Sequence, residues 1–412
     1  MASYLFGQNT YTPEDQRWQQ VLSKAYEKKL RPICLCLSPG PAMYIARVNA
    51  RYLIKRMPGS GSTHGITCDS YEAPAILSGI GEVMGTAIQE DTETGNTTLR
   101  LGFALSKVPG KLPPEPSDEA KDTVKSPGSE LSMLSTLHYI WSEAQFHRWS
   151  PKMEGKRNWS LIRHYLLKAC EQKLAKNKPL GSLLYCPEHW SIDAKERIAE
   201  SRRIAFSKIS ESSHGKRSLM VLVGEVTTFT PSRFGVEMKI KHADTGFQMK
   251  EGLYKSLQKH FAPSLDLWDA HMEDGAHLMA IATFGVNQAL TPEIEEISLM
   301  LTTPEWIPVE GVMEWNLVRK AHEQERYFIK GLRFNLPKKK PLASVLLTDT
   351  EKACALFIQP ANPSEEFIQE LHAMLTKDPM EHWIWDAAVA IPELPPSTLR
   401  EHANTQNETL ND

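Results

Sequence analysis

No apolar run in this chain approaches the roughly 18 residues that a membrane-spanning helix needs. The first residues, MASYLFGQNTYTPEDQRW, lack the basic region and apolar core of a signal peptide. A dominant charge of one sign is missing as well. Forty-seven Lys/Arg stand against 50 Asp/Glu, a formal net charge of −3, so neither a globally polycationic nor a disordered acidic protein is indicated. Cysteine is scarce, six in 412 residues at irregular spacing, which does not read as a secreted disulfide framework. No serine stands in G-x-S-x-G or another nucleophile frame. The expectation is a cytoplasmic protein with no membrane segment and no recognisable reaction signature. In a reducing compartment, clustered cysteines are more often metal ligands than disulfides.

What is present is a globular composition, 41% hydrophobic and 24% charged, over a length that predicts two to four domains. The fold class expected is multi-domain α+β. Residues 1–107 read as a β-rich domain: RPICLCL, AMYIARV and RYLIKRM are short alternating runs, and the turn near VNA joins the last two into a hairpin. GEVMGTAIQEDTETGNTTLRLGFALSK predicts a larger hairpin around DTETGN. Gly79, Gly81 and Gly85 do not make a phosphate loop, because no buried strand precedes them and no helix follows. Residues 108–130, rich in proline and nearly free of large apolar residues, read as a linker.

The period then becomes helical across 131–215, with Asn158 a candidate helix cap. An α+β domain follows over 216–304, with strands near 218–229, 234–242 and 276–286 and a helix near 249–261. An α/β region over 305–396 runs α-β-β-β-α-β, and 397–412 reads as a polar tail.

The cysteines carry the sharpest signal. If ICLCL is a strand, alternation sends Ile33, Leu35 and Leu37 to one face and Cys34 and Cys36 to the other. His64 and Cys68 follow in the glycine-rich loop PGSGSTHGITC. Three thiolates and an imidazole suit tetrahedral Zn²⁺ in a closed, structural site. Two other readings stay open at this point. The cysteines are small core residues beside an ordinary loop histidine, or they form a redox pair whose pKa is lowered by Arg31 or Arg47. Cys170, Cys186 and Cys354 lie in apolar surroundings and read as packing residues.

Charge is polarised along the chain. Residues 148–178 hold nine Lys/Arg and two acids, whereas 361–412 hold ten acids and two bases. Arg148, Lys152, Lys156, Arg157, Arg163 and Lys168, interleaved with Trp149, Trp159 and Tyr165, make a candidate DNA or RNA contact. The competing reading is a solvated helix face with core tryptophans. A second basic set, Arg47, Arg51, Lys55 and Arg56, lies on the strands near the cysteines.

An enzyme was sought in two places. The α-β-β-β-α-β order is that of restriction-endonuclease-like cores, which need carboxylates on the second and third strands and a lysine on the third. Here LASVLLTD offers Asp349 only at its far end, ACALFIQP offers nothing, and Glu314 stands alone on the helix, so catalysis reads as lost. Asp266, Asp269, His271, Glu273, Asp274 and His277 also crowd LWDAHMEDGAH, a composition that suits a divalent metal or merely a polar loop.

Finally, AMYIARVNARYLIKRMPGSGSTH, LSGIGEVMG, LHYIWSEAQFHRWSP, GKRNWSLIRHYLL, LMVLVGEV, HLMAIATF, FIKGLRFNLP and PLASVLLTDT resemble a bacterial family, domain-of-unknown-function family 1173, from YTPED to PELPP. The resemblance implies a cytoplasmic protein of plasmids and integrating elements; a scaffold that binds protein partners encoded on the same element is a further reading. The family's three N-terminal cysteines correspond to Cys34, Cys36 and Cys68. It implies no activity, so the metal and the nucleic-acid contact rest on the residues themselves.

Overall fold

The structure is a computed structural model that describes residues 2–48, 51–107, 128–210, 212–213, 216–233 and 235–398. Most of the linker segment and the end of the tail therefore lie outside the described residues.

Short strands β1 (Tyr4–Phe6), β2 (Asn9–Tyr11) and, after helix α1 (Trp18–Glu27), β3 (Ile33–Cys34) form a sheet in the order β2-β1-β3. The alternating runs AMYIARV and RYLIKRM become β4 (Met43–Val48) and β5 (Arg51–Arg56), an antiparallel hairpin registered from Met43 opposite Arg56 to Val48 opposite Arg51. Leu22 and Ala25 of α1 close on Tyr4, Phe6, Cys34, Met43 and Ile45. Seven buried side chains are a small core, below what usually holds a unit without a staple.

One expectation is corrected here. The strand in ICLCL stops at Cys34 rather than running through Leu37, and Leu35 and Leu37 are exposed. Beyond the strand, Cys36 Sγ lies 3.5 Å from His64 Nδ1.

Next, β6 (Ile88–Glu90) and β7 (Thr97–Leu99) pair antiparallel around the polar turn, and β8 (Ser106–Lys107) follows. The helical stretch supplies α2 (Met133–Glu143), β9 (Arg148–Trp149), α3 (Trp159–Ala169), β10 (Lys173–Ala175), β11 (Lys178–Pro179), α4 (Leu180–Leu183), β12 (Leu184–Tyr185) and α5 (Lys195–Ser210). Ser132 and Asn158 cap α2 and α3 by accepting the N–H of Ser135 and Leu161. This stretch is knitted into its neighbours, since β10 lies parallel to β7 and β12 parallel to β15 below.

After β13 (Ser212–Ser213) and β14 (Lys216–Ser218) come β15 (Met220–Ser232), β16 (Gly235–Ile240), β17 (Phe247–Met249), α6 (Glu251–His271), β18 (His277–Val286), β19 (Pro292–Thr302) and β20 (Pro308–Val309). The pairings β15-β16-β17-β19-β18 return to β15, so the five strands close into a barrel with α6 between its third and fourth strands. That is the connectivity of an OB-type barrel. Alternation fills the interior with Leu222, Met238, Phe247, Leu278, Phe284 and Leu299, each worth about 1.5–3 kcal/mol on burial. The opposite face of β15 and β18, Val221, Val223, Met279 and Ile281, packs on α2 and α3. The helix read as ending near residue 261 continues to His271. Pro263 kinks it at Phe261 without stopping it, and buried Leu267 anchors the second half.

The last region holds α7 (Val312–Glu323), β21 (Phe328–Lys330), β22 (Ala343–Leu347), β23 (Cys354–Gln359), α8 (Glu365–Lys377) and β24 (Glu381–Asp386). The sheet order is β24-β23-β22-β21-β9, with β24 parallel to β23 and the other pairs antiparallel. Trp315 and Val318 of α7 join the core that holds Val345 and Leu347. Phe367 and Leu371 of α8 join the one that holds Leu346 and Phe357, so the helices cover opposite faces. No described helix is long and apolar enough to cross a membrane.

Candidate metal centre

Four donor side chains converge at the edge of the N-terminal unit. Cys34 arrives at the end of β3, where its N–H donates to Pro41 O at 2.9 Å. Gly40 passes so close that a Cβ there would stand 1.7 Å from Cys34 O, so only glycine lets the chain return. His64 and Cys68 come from a turn closed by Cys68 N–H to Gly65 O at 2.8 Å. Cys36 lies between, in the loop after β3.

The ligand atoms all lie within 4.8 Å of one another. Cys34 Sγ and Cys68 Sγ are 3.8 Å apart, and His64 Nδ1 is 3.5 Å from Cys36 Sγ and 3.7 Å from Cys68 Sγ. A tetrahedron with Zn–S of about 2.3 Å and Zn–N of about 2.0 Å has S···S edges of about 3.8 Å and S···N edges of about 3.5 Å. The donor set therefore fits Zn²⁺ in both chemistry and spacing.

Backbone donors favour the thiolate form at two of the three sulfurs. Gly65 N–H and Ser70 N–H point at Cys36 Sγ and Cys68 Sγ, each at 3.4 Å, and partly offset sulfur charge. Without a cation, burial pushes the Cys34 thiol up to about 12. Burial, with the Arg56 guanidinium nearby, lowers the His64 pKa and keeps the imidazole neutral, the form that ligates. Four protein donors fill a tetrahedron and leave no open position for substrate, which is the arrangement of a structural centre.

The remaining sequence candidates fall in several places. Arg148 turns inward to Tyr71 O, and Arg157 donates to Phe146 O, Glu305 O and Arg148 O. Arg163 Nε donates to Cys186 O at 3.0 Å. Lys152, Lys156 and Lys168 are exposed, Lys168 lying over the Tyr165 ring. The six candidates thus split into three that tie backbone carbonyls and three that face solvent.

The acids of LWDAHMEDGAH do not converge. His271 Nδ1 lies 3.0 Å from Asp274, and His277 instead meets Glu225 at 2.8 Å. Among the described residues, only the Cys/His group gathers three or more potential ligands. Glu314 receives Lys330 Nζ at 2.9 Å and the N–H of Glu310, just ahead of α7, at 3.0 Å, so both oxygens are engaged. Asp349 is likewise held by Arg326. Cys170, Cys186 and Cys354 are buried and free. Sequence reasoning missed the buried pairs Lys330–Glu314 and Arg326–Asp349. Isolated charges within apolar runs were the available signal.

These observations define an α+β protein with a Cys₃His centre that fits zinc. The chain belongs to the family described as protein of unknown function (DUF1173), whose model matches residues 4–388. No curated protein and no solved structure matches the chain.

Proposed function

We propose that this chain is a non-enzymatic, cytoplasmic protein of a bacterial plasmid or integrating element, one that carries a structural zinc and associates with DNA or RNA. The observation that carries the reading is the tetrahedral spacing of Cys34, Cys36, His64 and Cys68. Zinc there adds to folding what a seven-residue core lacks, since structural sites contribute on the order of 10 kcal/mol in small units. A non-enzymatic role is supported by the engagement of Glu314 and Asp349, the two carboxylates a nuclease-like core here would offer to Mg²⁺. Nucleic-acid association is supported by the exposed cations Lys152, Lys156 and Lys168. Anisotropy with labelled DNA and RNA across a salt series tests it. Binding that weakens steeply with salt is expected, and no binding at low salt contradicts it.

A second reading is a divergent nuclease, favoured by the order α7-β21-β22-β23-α8-β24, which resembles restriction-endonuclease cores. Plasmid cleavage in Mg²⁺ or Mn²⁺ that disappears in Glu314→Ala would support it. A third reading, a scaffold for proteins of the same element, predicts pull-downs that survive nuclease treatment.

A further inference from the structure

Basic charge is also concentrated outside the helical stretch, and there more of it is exposed and unpaired. Residues 1–60 contain nine Lys/Arg and three Asp/Glu, a net +6 within a near-neutral chain. Arg17, Lys24, Lys28, Lys29, Arg31, Arg47 and Arg51 are exposed. None of these seven makes an ion pair with a described residue. In 148–178, by contrast, Arg148, Arg157, Arg163, Lys173 and Lys176 are bonded to internal acceptors.

The arrangement is ordered. Arg17, Lys24 and Lys28 recur at steps of seven and four, so they share one exposed stripe of α1. At 1.5 Å per residue the stripe is about 16 Å long, close to five phosphates of one strand at 3.4 Å each. Lys29 and Arg31 extend it toward Cys34, three residues beyond Arg31.

Helix electrostatics alone do not account for the set. Cations at the C-terminal end of α1 complement the macrodipole, which covers Lys24, Lys28 and Lys29. Arg17 sits at the opposite, positive end, where a cation is disfavoured, and it makes no capping bond. Arg47 and Arg51 flank the hairpin turn and belong to no helix.

We infer that this zinc-held unit is the nucleic-acid-binding face, contacting the phosphate backbone through Arg17, Lys24, Lys28, Lys29, Arg31 and the hairpin arginines. The inference rests on the nucleic-acid reading above and locates it. Contact is to the backbone and independent of base sequence, because Trp18, Tyr26 and Tyr52 are engaged in ring contacts with their own unit and offer no free stacking platform. The barrel does not compete for this role, since the outward positions of β16 and β17 and the facing residue of β19 are Glu237, Lys239, Gln248 and Glu293, of mixed charge. A membrane surface is disfavoured because the apolar stripe of α1 (Leu22, Ala25) is buried in its own core and cannot insert.

The test uses the full zinc-loaded chain, with labelled duplex DNA, single-stranded DNA, single-stranded RNA and phosphatidylserine-containing vesicles as probes. Reversal in Lys24→Glu/Lys28→Glu is expected to weaken nucleic-acid binding at least tenfold and to make the log K–log salt slope shallower by about 2. Zinc content and melting should be unchanged, and Lys24→Ala/Lys28→Ala should give a smaller loss. Reversal at Lys208 and Lys259, exposed on α5 and α6, should stay within twofold of wild type. Wild-type-like affinity and slope in the α1 variant, or loss only on reversing Lys156 and Lys168, would overturn the location and leave nucleic-acid association standing. Wild type that binds none of the three nucleic acids at low salt defeats both readings. Wild type that binds only the vesicles also defeats both and assigns the track to a lipid surface.

Discussion

Arg326 and Asp349 meet in a buried bidentate pair, Nε to Oδ2 at 2.8 Å and Nη2 to Oδ1 at 2.9 Å. Ser397 Oγ also donates to Asp349, and Arg326 reaches Pro395 O, so the pair fastens the end of the described chain to the last sheet. The carboxylate at the far end of LASVLLTD is thereby committed to structure. Asp349→Asn would leave a guanidinium buried and uncompensated, and a loss of about 3–5 kcal/mol is expected. Urea denaturation measures it. A variant within 1 kcal/mol of wild type, on the order of a surface pair's worth, would mean the charge is solvated after all.

His138 supplies a prediction with a defined pH window. Its Nδ1 accepts the N–H of Phe334 at 3.2 Å, which requires the neutral ring, and burial lowers its pKa from 6.5 to about 3. The unfolded chain therefore binds the extra proton between those values. Its stabilising contribution is complete above pH 6.5 and is lost as pH falls toward 3. His138→Gln lacks this dependence, so the stability gap between wild type and variant should shrink by about 2 kcal/mol from pH 7 to pH 5. Paired denaturation curves at the two pH values check it, and a constant gap would contradict the assignment.

Of the glycines at 79, 81 and 85, Gly79 has a packing role. A Cβ on Gly79 would stand 1.6 Å from Arg333 O, where the Gly79 N–H donates to Leu332 O at 2.9 Å. Gly79→Ala is expected to cost about 1–3 kcal/mol through forced separation of the two segments. Gly252→Ala, in the first turn of α6 with nothing within 4 Å, should be neutral or slightly stabilising. Thermal melts of both variants separate close packing from a general intolerance of substitution.

Much of this was legible in the sequence, for identifiable reasons. The thiols and imidazole could be read because their chemistry limits what they do when brought together. The hairpin of β4 and β5 could be read because apolar alternation has a period of two. Alternation carries the predicted strand on to Leu37, although the pairing ends at Cys34. Residue counts could show that Arg157 is cationic, but not that three backbone carbonyls would consume its donors. The barrel's closure was hidden because it depends on the parallel pairing of β17 with β19, far apart in sequence and marked by no local pattern.

The central claim is that a closed zinc centre holds the N-terminal unit together, and the metal content of the purified chain tests it most directly. Elemental analysis should find about one zinc per chain, held by the four donors of a closed tetrahedral site. The Cys34→Ser variant should lose it, along with cooperative melting of the N-terminal unit. A well-folded wild-type chain free of zinc, or a Cys34→Ser variant that keeps its metal, would contradict the account.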